Sequence, residues 1–174
     1  MSATPPPGSG TSPTPTRSCR TAGCSRLISA AARRNGGDVG AAVGEAVGWI
    51  SDNVPVYALN ILLSTATDVW ALRYPASHEL YVLDRRVPAA TPTPNFDMQT
   101  QRIHARSEHL DELGSVVIAS EPMDDDPAWR LLDPGELVHI DADLRITRRL
   151  AFPDPPRHLL RRADLSSTAR AAQH

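Results

Sequence analysis

The apolar positions of the chain concentrate in one stretch, Pro55–Asp84. Tyr57–Leu63 is a mostly apolar run, of a kind that suits a strand buried on both faces. Ser64–Asp68 is a polar turn and Val69–Tyr74 is aromatic and β-branched. Pro75–His78 is a second turn, and Leu80–Leu83 is a third apolar run. Two short turns joining three runs predict an antiparallel meander, because parallel strands need longer crossovers. Alternation places Leu59, Ile61, Leu63, Trp70, Leu72, Tyr81 and Leu83 in its core.

Two helices are expected before this sheet. Arg26–Arg34 carries Leu27, Ile28 and Ala31 at helical spacing and stops at Asn35-Gly36-Gly37. Asp38 is placed to cap a second helix, Val39–Ser51, in which Val39, Val43, Val47 and Ile50 form one apolar stripe. Gly40, Gly44 and Gly48 suggest a face that lies close against another element.

After the meander, the prolines of Arg85–Thr100 predict a loop, and Gln101–Leu113 is ambiguous. Ser115–Ser120 is a buried strand. Glu121–Pro127 reads as a solvated turn, with Trp129 covering a sheet edge. Asp133-Pro134-Gly135 is a tight turn, Glu136–Ile140 a strand, Asp141–Asp143 a turn and Leu144–Thr147 its hairpin partner. His158–Ala163 is expected as a short basic helix in a frayed end.

Composition adds limits. The 174 residues fit one domain with tails: a tail at 1–24, a folded part at 25–150 and a Pro- and Arg-rich tail at 151–174. The net charge of −2 gives no general pull toward nucleic acid or a membrane. No apolar run approaches the ~20 residues of a membrane helix. The chain has no lysine, a mark of a high-GC bacterial genome. Residues 1–24 are mostly Pro, Gly, Ser, Thr and Arg, a composition with little to bury. They read as a disordered tail or as non-native coding sequence from a misplaced start or a frameshift.

Candidate chemistry is sparse. Cys19 and Cys24 lie outside the patterned region, which argues against a disulfide framework or a cysteine zinc site. His104, Ser107, Glu108 and His109 invite a metal or triad reading, but the five-residue spacing of the histidines splays them on a helix. Asp124, Asp125 and Asp126 lack the spaced pattern of a calcium loop. No catalytic, cofactor-binding or metal-binding residue is assigned, and no cofactor is expected.

The segments ALNILLSTATDVWALRYPASHELYVLD and SVVIASEPMDDDPAWRLLDPGELVHIDADLRI, taken in order, resemble the later half of class II glutamine amidotransferases. The branch most resembled is the ergothioneine-pathway amidohydrolase. The resemblance spans about residues 25–150. It implies an α+β chain: two helices followed by a mainly antiparallel sheet, part of an N-terminal-nucleophile αββα sandwich. It also implies a cysteine nucleophile freed by Met removal, an Asn-Gly oxyanion pair, and an Arg and an Asp that hold the substrate.

The chain departs from that pattern. Ser2 stands second, and the prolines after it cannot begin a buried strand. Asn35-Gly36 reads as a helix stop, and Thr21–Cys24 stands where the family carries its substrate acid. Ser120 and Glu121 are read as supporting residues beside the cleft, and Arg73 as a sheet-face residue. The expectation is therefore a truncated, inactive amidotransferase-like protein in the cytoplasm, taking glutamine or a γ-glutamyl compound only if complemented. The alternative is a non-catalytic binding or regulatory protein that pairs with a chain supplying the missing half. Self-association or a partner chain is expected, and no nucleic acid or membrane.

Overall fold

The fold is taken from a computed structural model, which describes residues 21–86, 96–99, 104–107 and 114–171. Ser2, Cys19, Glu108 and His109 lie outside the described residues. The first helix, α1, spans Thr21–Arg34. Thr21–Cys24, read above with the tail, are its first turn, and Cys24 is buried against Ile50 and Val56. The helix closes at Asn35 and Gly37, whose N–H groups donate to the carbonyls of Ala31 and Ala32 at 2.9 and 2.8 Å. Gly36 and Gly37 take the positive φ such a stop requires. Asp38 then caps α2, Val39–Asn53, its carboxylate accepting the Ala41 N–H at 2.8 Å.

The valine stripe of α2 faces inward, with Val43 and Val47 at 0 % and Ile50 at 2 % exposure. The glycine face does not pack as expected. A Cβ on Gly44 or Gly48 would meet nothing within 4 Å; only Gly40 has close neighbours, Asp38 and Trp70.

Nine strands follow among the described residues. They are β1 Ile61–Ser64, β2 Val69–Leu72, β3 Tyr81–Arg85, β4 Phe96–Gln99, β5 His104–Ser107, β6 Ser115–Ala119, β7 Arg130–Leu131, β8 Glu136–Ile140 and β9 Ile146–Leu150. The first sheet has the order β1-β2-β8-β9 and the second β6-β3-β7; β4 and β5 form a separate hairpin. Every pairing is antiparallel.

The three-strand meander is thus half right. β1 and β2 make the expected hairpin, and its turn is tied by the Thr65 hydroxyl, which accepts the Asp68 N–H at 3.0 Å. β3 leaves for the other sheet, and β2 pairs with β8 instead. The first run also shrinks. Only Ile61–Ser64 is strand, its exposure alternates, and Leu62 is 62 % exposed rather than buried on both faces. Of the expected core, Leu72 and Leu83 are fully buried. Leu59, Ile61, Leu63, Trp70 and Tyr81 are half-buried.

Other elements shift too. The loop expected over Arg85–Thr100 contains β4, and His104 and Ser107 bound β5. Strand β9 starts at Ile146, not Leu144, because the Asp141 carboxylate accepts the N–H groups of Asp143 and Arg145 and lengthens the turn. The basic helix expected at His158–Ala163 is absent. Leu159 makes a parallel bridge to Val56, a 3₁₀ turn covers Arg162–Asp164, and α3 spans Ser167–Ala171.

Three layers result. One face of the first sheet packs on α1 and α2 through Leu72, Tyr74 and Leu137 against Ile28, Ala31, Val43 and Val47. Its other face packs on the second sheet, where Ala71, Val138 and Ile140 meet Leu80, Val82 and Leu132. On the far face of the second sheet, Trp129 and Met123 fold over Leu83 and Val117. The chain is mixed α+β with antiparallel sheets.

Candidate functional site

The most site-like feature is a polar recess of about 680 Å³, lined by Asn60, Arg73, Ala76, Ser77, His78, Glu79 and Ser120. The chain makes it by turning sharply after β2 through a cis Tyr74–Pro75 bond. The recess brings the residue before β1 and the residue after β6 together at one end of the two sheets.

Arg73 organises this end. It is 7 % exposed. Its Nε–H donates to the His78 carbonyl at 2.9 Å, Nη1 to Leu132 at 2.7 Å and Nη2 to Ala76 at 3.2 Å. A planar fork with fixed donors suits three carbonyls set around it. Arg73 is therefore a clamp between the β2–β3 turn and the second sheet, not the sheet-face residue its position suggested. Asn60 is also committed: its amide N–H donates to the Glu79 carbonyl and its oxygen accepts the Tyr74 N–H. Ser120 lines the recess, whereas Glu121 is exposed outside it. Burial above all, with the hydrogen bond to Glu79, raises the Tyr81 phenol above its ordinary pKa. The recess is lined by one acidic residue, Glu79, two serines, Ser77 and Ser120, and one histidine, His78.

A second cluster escaped the sequence reading, because its members are 71 residues apart. His139 on β8 places Nε2 2.7 Å from the Asp68 carboxylate. Its ring stacks on Trp70 at 4.8 Å between centroids and 13° between planes. The Thr67 hydroxyl donates to the other Asp68 oxygen at 2.5 Å. The Thr67 bond first, and the His139 bond second, hold the Asp68 pKa below the usual carboxylate value. The carboxylate sits between hydroxyl and imidazole. A nucleophilic triad needs the imidazole in the middle, so this order cannot activate Thr67. The one sequence-level signal for the cluster was Asp68 at the end of a polar turn.

The three-aspartate turn is not simply solvated. Asp124 and Asp126 grip Arg85 of β3 at 2.7 and 3.0 Å, and the Trp129 indole N–H donates to Asp124 at 2.7 Å. Trp129 is thereby held over the sheet face rather than its edge. The Asp126 pKa is lowered, by the Ala128 N–H foremost, against the cost of burial and with help from Arg85. Among the described residues, no group of three or more His, Cys, Asp or Glu side chains could hold a metal ion. None of their helices is long and apolar enough to cross a membrane.

Compared with known proteins, the chain matches no protein-family model and no curated protein sequence.

Proposed function

We propose that this chain is a class II glutamine amidotransferase-like protein, carrying the later half of an N-terminal-nucleophile αββα sandwich and hydrolysing no glutamine by itself. In this reading it works in the cytoplasm. It takes glutamine or a γ-glutamyl compound only when another chain supplies the catalytic half.

The observation that carries this reading is the position of Leu62. It pairs with Ala71, which is 1 % exposed in the core between the sheets, yet Leu62 itself is 62 % exposed. The second sheet does not reach over β1, as expected where a sandwich lacks strands. The order of layers, a helix pair and then two antiparallel sheets, supports the same reading. So does the side-chain chemistry. Cys24 is buried in α1, and the Thr67 hydroxyl donates to the Asp68 carboxylate rather than to an imidazole.

Incubation with glutamine and a readout of ammonia tests the reading, with Ser2→Ala as control. No release is expected. Ammonia production that disappears in the control would overturn the proposal. The exposed Leu62 also favours a second reading, a non-catalytic binding or regulatory protein that pairs with a chain supplying the missing strands. A stoichiometric partner that leaves the mixture without glutaminase activity distinguishes it from the first.

A further inference from the structure

Among the described residues, Arg73 is a buried cation that forms no ion pair. It is 7 % exposed, and its three acceptors, the carbonyls of His78, Leu132 and Ala76, are all neutral. Carbonyls satisfy N–H groups but do not cancel a charge, and a buried charge is ordinarily paired. A guanidinium carries five N–H groups. Three of them go to the carbonyls, which leaves one on each terminal nitrogen.

This charge stands at the polar recess, where Arg73 shares the lining with Ser77, His78, Glu79 and Ser120. We propose that the recess binds a small molecule through an oxyanion, a carboxylate or a phosphate, that acts as the counter-ion of Arg73. Hydrogen bonds from a guanidinium to such a group are charge-assisted and stronger than those to carbonyls. Ser77 and Ser120 add hydroxyl donors to the wall.

The lining disfavours other ligand classes. A bound divalent cation needs several oxygen ligands, and Glu79 is the single acid here. An apolar ligand would meet polar side chains everywhere but at Ala76. The volume of about 680 Å³ falls in the range of small-molecule sites, roughly 300–1,000 Å³. It is much larger than a phosphate group, so the oxyanion is one end of a larger molecule. Glu79 is exposed and hydrogen-bonded to the Tyr81 phenol. As a like charge it weakens a bare anion, and it favours a ligand whose hydroxyl groups donate to it.

Every group named here belongs to this chain, and the site does not depend on the amidotransferase reading. A chain that releases no ammonia from glutamine can still hold an oxyanion at Arg73. Calorimetric titration of the full chain with inorganic phosphate and with succinate, against chloride at equal ionic strength, is the test. Saturable binding of at least one oxyanion is expected, and none of chloride. The tighter of the two tells whether the recess prefers phosphate or carboxylate. Removing Arg73 would also release the turn it clamps, so exposed residues carry the variants. Ser120→Asp sets a like charge at the wall and should weaken binding about tenfold or more. Glu79→Gln removes one and should tighten binding. Failure of both oxyanions to bind, or equal binding of chloride, would overturn the proposal. So would an unchanged affinity in Ser120→Asp, or no gain in Glu79→Gln.

Discussion

Both terminal nitrogens of Arg130 grip the Glu136 carboxylate, at 2.6 and 2.9 Å, and tie β7 of the second sheet to β8 of the first. Glu136 is only 6 % exposed, and its carboxylate also accepts the Asp133 N–H at 2.8 Å. Arg130→Ala leaves a buried carboxylate without its cation. Full burial of such a pair would cost about 3–5 kcal/mol on breaking. With the Arg130 side chain one-third exposed, about 2–3 kcal/mol is expected. Urea unfolding of the two proteins measures the difference.

The same carboxylate predicts an acid limb. Burial raises the Glu136 pKa, but the Arg130 hydrogen bonds, the Asp133 N–H and the charges of Arg130 and Arg148 together outweigh it, and the net shift is downward. Asp84 is likewise lowered, by Arg86 foremost. A carboxylate with a depressed folded pKa stabilises the fold fully above its unfolded value, and that contribution is lost as pH falls through the folded value. Stability should therefore decline below about pH 4.5, where unfolded carboxylates begin to protonate. Glu136→Gln should flatten the decline. Unfolding free energies across the acid range provide the check, and a variant with the same pH slope as the parent would contradict the assignment.

Gly135 is a crossing point. Its N–H donates to the Arg73 carbonyl at 2.7 Å, its own carbonyl accepts from Ala151 and Phe152, and its φ is +83°. A Cβ there would lie 1.8 Å from the Phe152 carbonyl oxygen. Gly135→Ala should cost about 3 kcal/mol or more, through backbone strain and displacement of the segment after β9. Thermal unfolding should show the largest single-residue loss among the substitutions considered.

Tyr74 joins three parts of the chain. Its ring is 2 % exposed beside Phe152, and its hydroxyl lies 2.8 Å from the Ser51 hydroxyl and donates to the Asp154 carbonyl at 3.2 Å. Burial foremost raises its pKa. Tyr74→Phe keeps the packing and removes both bonds, for an expected loss of about 1–2 kcal/mol. A Ser51→Ala, Tyr74→Phe double-mutant cycle should give non-additive losses, since one bond is shared.

What the sequence revealed is local. The Asn35-Gly36-Gly37 stop, the Asp38 cap and the polar β1–β2 turn follow from residues next to one another, and each is found. Which sheet a strand joins does not, because alternation in Leu80–Leu83 looks the same in either sheet. The departure of β3 depends on Arg73 reaching carbonyls on both sides of the turn, and one of them, Leu132, is 59 residues away. Long separations of the same kind hid His139 from Asp68, 71 residues away, and Arg130 from its β3 partner Val82. The glycines of α2 misled for a related reason. Close packing requires a neighbour, and spacing along one helix cannot supply it.

The order of the first sheet also bears on synthesis. β2 lies between β1 and β8, so its second edge stays open until residues 136–140 have been made. α1, α2 and the β1–β2 hairpin leave the ribosome first, yet the β2 edge that will pair with Val138 and Ile140 has no partner strand during that interval. Joining contacts so far apart in sequence makes closure slow relative to helix formation. The nascent chain therefore passes through a stage with an unfinished sheet, and the uncharged β1 edge is the part of it least protected from a neighbouring chain on the same message.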